Sequence, residues 1–467
     1  MNRLPVMAAA TFVLAGCTVG PNYHRPQVAV PNAYRNAPPP GTDPAASIAD
    51  TKWQNLFADD TVSRMVTKAL ANNFDLRIAV ERVQEARANL GINRANQFPF
   101  LDANASLTGI RQSTLGAFTF IQPNTNLSAT YTTLGVALNW EIDLWGRLRR
   151  LTEAARASYL ASEEGRRAVE ISLVADVIDS YFQLLEYDSE LEISRETEAS
   201  ARDSVRLVEL RHQRGAASAL DVRQAEQLLY TATARIAAAQ RSIAQTEDQL
   251  SLLQGEAPST QEHGRKLEDI AMPAQVAPGL PSAILERRPD IRQAEENLVA
   301  ANAQIGAARA LYYPQIALTA SAGGQSRYLL DIATLPARTY SVAPSAVQAI
   351  FHAGQIRSQV RFSEAQQREM LITYQRTIYT ALREVSDALV GFDRLREERQ
   401  QQEHLVATLE DTVRLSDIRY RGGLDSYLQV LDAQRNLFSG QLTLAQLRLA
   451  ERMAVVQVYR ALGGGWS

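Results

Sequence analysis

The sequence has little cysteine and no clustered metal ligands. Cys17 is the single cysteine among 467 residues, so no disulfide can form within one chain. The histidines lack the spacing of a metal site: His24, His212, His263, His352 and His404. A glycine-rich phosphate loop, a Gly-x-Ser-x-Gly turn and a metalloprotease helix signature are also missing. The sequence therefore argues against an enzyme and predicts neither a metal nor a cofactor.

Long apolar runs are also missing, and neither sign of charge dominates. A helix that spans a bilayer needs about 20 apolar residues, and no stretch after Ala15 supplies them. The formal net charge is −3, so the chain lacks the basic surface with which proteins bind nucleic acid. The composition predicts neither transmembrane helices nor a nucleic-acid partner.

The chain starts in the manner of an exported protein. Arg3 precedes a short apolar run, 4–15, that ends in small residues, as in a secretory signal. Leu14-Ala15-Gly16-Cys17 resembles the lipobox of bacterial lipoproteins, in which the cysteine becomes the lipidated N-terminus. We expect a signal peptide at 1–16, a lipidated N-terminal segment at 17–60 and a covalent lipid such as palmitate on Cys17. A buried free thiol is the alternative.

Beyond about residue 60 the chain repeats itself once. In the first part of the repeat the matched pairs are 215 residues apart (290−75): Asp75 and Asp290, Gly91 and Gly306, Pro99 and Pro314. In the later part the separation is 208 (423−215): Gly146 and Gly354, Gly215 and Gly423, Ala225 and Ala433. The change falls between Pro99 and Gly146, so the two copies differ mainly in one loop.

The repeat predicts two structural copies, 61–255 and 282–467, joined by a Pro/Ala-rich linker at 256–281. Each copy opens with a helical segment, about 61–98 and 282–313. The apolar period then changes to two, which predicts strands at 100–110, 130–142, 315–323 and 338–348. Long apolar stripes of helical period follow, and they predict helices at about 148–212, 220–253, 356–417 and 427–462.

The strands are long enough to cross a bilayer at a tilt, but four strands cannot close a barrel. An open sheet in lipid leaves unpaired backbone groups that cost several kcal/mol each, and about eight strands are the practical minimum for closure. Two chains would supply eight strands and a bore filled by side chains, whereas three would supply twelve and leave a pore. We therefore predict a homotrimer with a 12-stranded barrel.

Five segments carry a resemblance to a known family: Val19-Gly20-Pro21-Asn22-Tyr23, Trp140 to Arg147, Arg287-Arg288-Pro289-Asp290-Ile291, Arg419-Tyr420-Arg421-Gly422-Gly423 and Leu431-Asp432-Ala433-Gln434. Together they resemble the TolC-like outer-membrane factors, the efflux channel lipoproteins of Gram-negative bacteria. The resemblance implies an α+β membrane protein: a barrel in the outer-membrane lipids, a long antiparallel coiled-coil tunnel in the periplasm and a mixed equatorial region. It also implies a periplasmic adaptor (membrane fusion) protein and an inner-membrane pump of the resistance-nodulation-division type as partners.

The same resemblance implies a passive exit duct for drugs or other small toxic compounds, gated at its periplasmic tip. In the family, the positions of Asp221 and Tyr420 link neighbouring helices and hold the tip shut. Acidic rings line the bore at the positions of Gln429 and Asp432, and Gln429 departs from that pattern. Ordinary helix capping by the aspartates is the alternative interpretation.

Further tip residues follow from the family register. Asp425 stands where the family has a basic residue, and Arg419 or Arg421 could replace that residue. Asp417, one turn earlier, is another candidate constriction residue. The residues expected to dock the adaptor are small and lie at the two turns: Gly215, Ser218, Gly423 and Ser426. Turn chemistry alone explains these four residues equally well.

Two other functions share parts of this pattern. A type I secretion duct for polypeptides would share all of it. A periplasmic coiled-coil adaptor or structural rod would share the long helices but would not need four strands of bilayer length.

Overall fold

The fold comes from a computed structural model. It describes residues 18–35, 48–51, 53–57, 59–111, 113, 128–270, 272–273 and 276–464. Cys17 and the expected signal peptide lie outside the described residues.

The described residues form long helices and four strands in two repeats. In chain order they are α1 Trp53–Leu56, α2 Asp60–Asn72, α3 Phe74–Ala95, β1 Phe100–Arg111, β2 Ser128–Ile142, α4 Arg147–Gln213, α5 Ala219–Leu253, α6 Ile284–Arg287, α7 Pro289–Ala310, β3 Gln315–Ser326, β4 Arg338–Val347, α8 Gln355–Arg421 and α9 Tyr427–Ala461. No helix in this part of the chain is both long enough and apolar enough to cross a membrane.

The chain divides into two compact units. The strand unit consists of Ala294–Thr373 and the described parts of Met1–Pro26 and Val83–Ala161. The helical unit consists of the described parts of Gln27–Arg82, Ser162–Gln293 and Tyr374–Ser467.

The four strands of the strand unit form one antiparallel sheet in the order β1-β2-β3-β4. Leu101 lies opposite Leu138 in the first pair of strands, and Ile316 lies opposite Ala346 in the last. These partners are related by the same separations as the sequence repeat, 215 (316−101) and 208 (346−138). The duplication therefore fixes the strand register as well as the strand order.

Hydrogen bonds at the strand–helix junctions repeat in the same way. The Trp140 indole Nε1 donates to the Gln97 carbonyl oxygen at 3.1 Å. At the matching positions of the second copy, Gln348 Nε2 donates to the Tyr312 carbonyl oxygen at 3.2 Å. Although the donors differ, both bonds tie the end of a strand to the end of the helix that precedes the sheet.

The N-terminal segment lies along this unit. Val19 N donates to the Trp145 carbonyl oxygen at 3.0 Å, and Arg150 Nη2 donates to Asn22 Oδ1 at 2.8 Å. A Cβ atom at Gly20 would lie 2.4 Å from the Cα of Gly306. Only glycine permits this approach, so the Val-Gly-Pro-Asn-Tyr motif has a packing function.

Both predicted apolar stripes belong to the buried core of the helical unit. Tyr181 and Phe182 are fully buried, and Phe57 contacts Phe182 edge to face with 5.8 Å between ring centroids. All members of both stripes are buried, which confirms the helical period: Val174, Val177, Ile178, Tyr181, Leu184 and Leu185 in α4, and Tyr374, Ile378, Ala381, Val385, Leu389 and Phe392 in α8.

The prediction of one continuous helix at 61–98 is wrong. The chain breaks at Asn73, whose ψ of 133° leaves the helical region. Its side chain stabilises the break because Oδ1 accepts from Leu76 N at 3.0 Å and Nδ2 donates to the Leu253 carbonyl oxygen at 2.9 Å. Asn73 thus caps the start of α3 and ties it to the end of α5.

The linker is held against the long helices by charged side chains. His263 contacts Asp188 of α4 through Nδ1 at 2.6 Å and Glu247 of α5 through Nε2 at 3.3 Å. Lys266 adds an ion pair with Glu192 at 2.7 Å. Burial acts to lower the pKa of His263, but its bonds with the two carboxylates outweigh burial and raise that pKa above its usual value.

Candidate functional site

The two long hairpins of the helical unit end in turns of the same construction, which we call the paired turns (211–221 and 419–429). In the first, Ala216 N donates to the Arg211 carbonyl oxygen at 2.8 Å and Gly215 N to that of His212 at 2.9 Å. This pattern is a Schellman motif. The second turn repeats it, because Leu424 N donates to the Arg419 carbonyl oxygen at 2.9 Å and Gly423 N to that of Tyr420 at 3.0 Å.

The glycine in each turn is required by its backbone angle. Gly215 has a φ of +74° and Gly423 a φ of +76°, a region in which residues other than glycine are strained. Apart from the glycine and its two chain neighbours, no heavy atom of the described residues lies within 4 Å of a Cβ built at either position. The requirement is therefore conformational, and the space around both glycines is open within the chain.

The helices that leave the turns begin differently. Ser218 and Asp221 form a capping box: Asp221 N donates to Ser218 Oγ at 3.1 Å, and Ser218 N donates to Asp221 Oδ2 at 2.8 Å. At the matching positions of the second copy, Ser426 makes no side-chain cap bond and Gln429 replaces the carboxylate. The carboxylate of Asp221 thus closes the first turn within its own chain.

Tyr420 lies in the apolar core that joins the two hairpins. Its side chain is buried, and its ring centroid is 5.4 Å from that of Tyr427. The Arg211 guanidinium carbon lies 4.5 Å from the Tyr420 ring centroid, within the range of a cation–π interaction. Arg211 belongs to the first turn and Tyr420 to the second, so this contact connects the two.

Two ion pairs brace the second turn. The Arg419 guanidinium donates to both oxygens of Asp425, with Nε to Oδ2 at 2.5 Å and Nη2 to Oδ1 at 3.1 Å. This bond lowers the pKa of the Asp425 carboxyl below its usual value and raises that of Arg419. One turn earlier, Arg421 Nε pairs with Asp417 Oδ2 at 2.8 Å.

The structure thus assigns different partners to the predicted residues. Arg419 supplies the basic partner of Asp425, whereas Asp221 and Tyr420 are held separately, by Ser218 and by the core between the hairpins. Gln429 and Asp432 are exposed on α9, and Ser218 and Ser426 are exposed at the turns. Among the described residues, no group of acidic, histidine or cysteine side chains could hold a metal ion.

Sequence reasoning missed Arg211 and Tyr427 as parts of this site. The repeat contained a signal for Arg211, because its match at 208 residues is Arg419 (419−211). The two arginines have diverged, since one lies over an aromatic ring and the other pairs with a carboxylate. Only the tertiary contact shows that difference.

The chain was compared with protein families, with known proteins and with solved structures. A family model described as outer membrane efflux protein matches residues 65–256 and 280–464. The chain belongs to this family. Toluene efflux pump outer membrane protein TtgC of Pseudomonas putida is 37% identical over 463 residues, which are 98% of this chain and 95% of TtgC. Probable outer membrane lipoprotein SilC of Salmonella typhimurium is 36% identical over 472 residues, all of both chains.

A solved structure supports the same assignment. The open state of the Neisseria gonorrhoeae MtrE outer membrane channel matches with a TM-score of 0.84 and 28% identity, over 96% of this chain and 98% of MtrE. The outer membrane efflux proteins are channels of tripartite pumps. The chain is thus an efflux channel of the outer membrane, and the predicted α+β fold with long helices and four antiparallel strands is confirmed. The adaptor and rod interpretations are excluded.

Proposed function

We propose that three copies of the chain form a passive exit duct that is closed at the paired turns. The observation that supports a gate is the contact of the Arg211 guanidinium with the Tyr420 ring, which joins the two turns of one chain. Because of this contact, a movement of one hairpin is transmitted to the other. Asp221 and Tyr420 hold the tip shut by linking neighbouring helices at the paired turns, and the exposed Gln429 and Asp432 line the constriction with one carboxylate ring instead of two.

The open edges of the sheet support the trimer. Within the part of the chain that the structure describes, β1 and β4 each lack a neighbour on one side, and backbone groups left unpaired in lipid cost several kcal/mol each. Large apolar side chains of these strands are exposed: Leu101, Leu107, Tyr340, Val342 and Val347. Three sheets would close a barrel of twelve strands, wide enough for a pore.

Partners follow from the role of the family in tripartite pumps. An adaptor docks at the exposed turn residues Gly215, Ser218, Gly423 and Ser426, and an inner-membrane pump of the resistance-nodulation-division type supplies the energy. Cys17 carries the lipid that anchors the chain, in keeping with the description of SilC as a lipoprotein. The cargo consists of small toxic compounds, as for the toluene pump of TtgC.

The docking surface is tested by accumulation of a fluorescent pump substrate in cells that lack the native gene. Ser426→Arg adds a long charged side chain where the hydroxyl makes no cap bond, so the fold should persist. Expression of the native chain should restore low accumulation and Ser426→Arg should not. The control is Ser200→Arg, at an exposed position of α4 away from the turns, which should behave as native. Full efflux by Ser426→Arg would overturn the proposed docking surface.

A further inference from the structure

A cavity of about 410 Å³ in the helical unit is lined mainly by charged side chains. It lies between the linker, α8 and α9, and all of its lining residues belong to that unit. The charged lining residues are four arginines and three glutamates: Arg396, Arg399, Arg448 and Arg452, and Glu268, Glu403 and Glu451. The lining of this arginine cavity therefore carries one positive charge in excess (4−3).

The three glutamates are held by two of the arginines. Arg399 Nε pairs with Glu451 Oε2 at 2.6 Å, and Arg399 Nη1 pairs with Glu403 Oε2 at 2.8 Å. Arg448 pairs with Glu268 and, at 3.7 Å, with Glu403. Each glutamate of the lining therefore has an arginine partner, and none of the three pairs with Arg452.

Arg452 is held by the backbone instead. Its Nη1 donates to the Arg448 carbonyl oxygen at 3.0 Å, and its Nη2 donates to the Ile270 carbonyl oxygen at 3.4 Å. Arg452 is only 4% exposed, and its Nε has no hydrogen-bond partner among the described residues. A buried donor without an acceptor and a buried charge without a counter-charge both cost free energy. The side chain is therefore suited to a negatively charged acceptor in the cavity.

The electrostatics of the cavity agree with this geometry. Burial is the main reason why the pKa of the Arg452 guanidinium is lowered to about 10. The positive charges of Arg448 and Arg399 lower this pKa as well. Glu451 and Glu268 act in the opposite direction but do not offset burial. At neutral pH the guanidinium still carries its charge, and the carboxylates of the lining compensate for it only in part.

We propose that the arginine cavity binds a small free oxyanion of the phosphate type through Arg452. A guanidinium presents its N–H donors in a planar fork that fits the oxygens of such an anion. The anion supplies the acceptor that Nε lacks among the described residues and the counter-charge that the glutamates do not provide. A water molecule needs only about 10–15 Å³ of cavity volume, so the cavity has room for the anion and for waters around it.

A bound oxyanion joins the linker to the second hairpin. Arg452 belongs to α9 and already donates to the linker at Ile270, and Arg399 of α8 lines the same cavity. An anion on Arg452 therefore lies where three elements of the helical unit meet. Because a ligand that binds the folded state stabilises it, occupancy should stabilise the packing of the linker.

Isothermal titration calorimetry with inorganic phosphate tests the proposal on the purified full-length chain in detergent. The titration is done at neutral pH and at constant ionic strength set with chloride. Arg452→Met replaces the guanidinium with an unbranched apolar side chain, a change that a buried site tolerates well, and circular dichroism verifies its fold. We expect one saturable phosphate site per native chain. The affinity of Arg452→Met should be at least about tenfold weaker, as for the loss of one charged hydrogen bond.

Two further variants separate the site from non-specific effects. Glu268→Gln raises the charge excess of the lining to two (4−2) and should tighten phosphate binding severalfold, a gain that misfolding cannot produce. Arg383→Met removes an exposed arginine of α8 that does not line the cavity and should bind phosphate as the native chain does.

Three results would overturn the site. The first is phosphate uptake by the native chain that does not saturate, and the second is equal affinity in the native chain and Arg452→Met. The third comes from a parallel titration with a soluble short-chain phosphatidic acid. Binding of that lipid without binding of phosphate would assign the cavity to a lipid headgroup.

Discussion

Two equivalent helix ends at the paired turns are stabilised by different side chains. Ser218 and Asp221 close the first helix start with a capping box, whereas Ser426 and Gln429 leave the second without a side-chain cap. Arg419 instead braces the second turn through Asp425. The duplicated residues have therefore diverged, and the divergence makes the two turns separately testable.

Ser218→Ala should loosen the start of α5, because it removes a cap worth about 1 kcal/mol. Ser426→Ala is the matched control and should have little effect on α9, since its hydroxyl makes no cap bond. Hydrogen exchange of the first-turn amides measures both effects. Equal changes in exchange at the two helix starts would contradict the difference in capping.

The ion pair of Arg419 predicts the titration of Asp425. The hydrogen bond with Arg419 lowers the pKa of Asp425. The ion pair therefore stabilises the turn fully at pH values above the usual pKa of an aspartate, and this stabilisation is lost as the pH falls through the lowered pKa. Arg419→Gln should return the pKa of Asp425 towards its usual 3.8. NMR titration of a selectively labelled chain checks this, with Arg421→Gln as the control. An unchanged pKa in Arg419→Gln would refute the pairing.

At the level of elements, the sequence predicted those parts of the fold that depend on periodicity. The strands followed from alternation, and the apolar stripes of α4 and α8 were found buried as predicted. The break at Asn73 was missed because the helical period continues on both sides of it. The contact of the Arg211 guanidinium with the Tyr420 ring could not be predicted, because the two residues lie 209 positions apart (420−211) and meet only through tertiary packing.

The linker should loosen as the pH rises. The raised pKa of His263 means that its bonds with Asp188 and Glu247 stabilise the linker fully below about 6.5, the usual histidine value, and less as the pH rises through the raised pKa. Hydrogen exchange of residues 259–269 should therefore be faster at pH 8.5 than at pH 6, after correction for intrinsic rates. His263→Gln should abolish the pH dependence. A pH dependence that persists in His263→Gln would assign it to other groups.

In the whole molecule, one duplicated pattern accounts for both the sheet and the turns. The separations of 215 and 208 residues relate the strand registers, and the second also relates the glycines of the paired turns. Among the described residues, β1 and β4 each have one open edge, and the candidate gate residues lie at or beside the paired turns. The central claim is the proposed trimeric duct that is closed at the paired turns.

Single-channel conductance in a planar bilayer tests that claim most directly. The native chain is compared with the double variant Asp221→Ala and Arg211→Gln, which removes the charged group over the Tyr420 ring, and with Ser218→Ala, which disrupts the same capping box but keeps the Asp221 carboxylate. We predict a small conductance for the native chain and for Ser218→Ala, and a severalfold larger one for the double variant. Equal conductance in all three, with confirmed insertion, would contradict a gate at the paired turns.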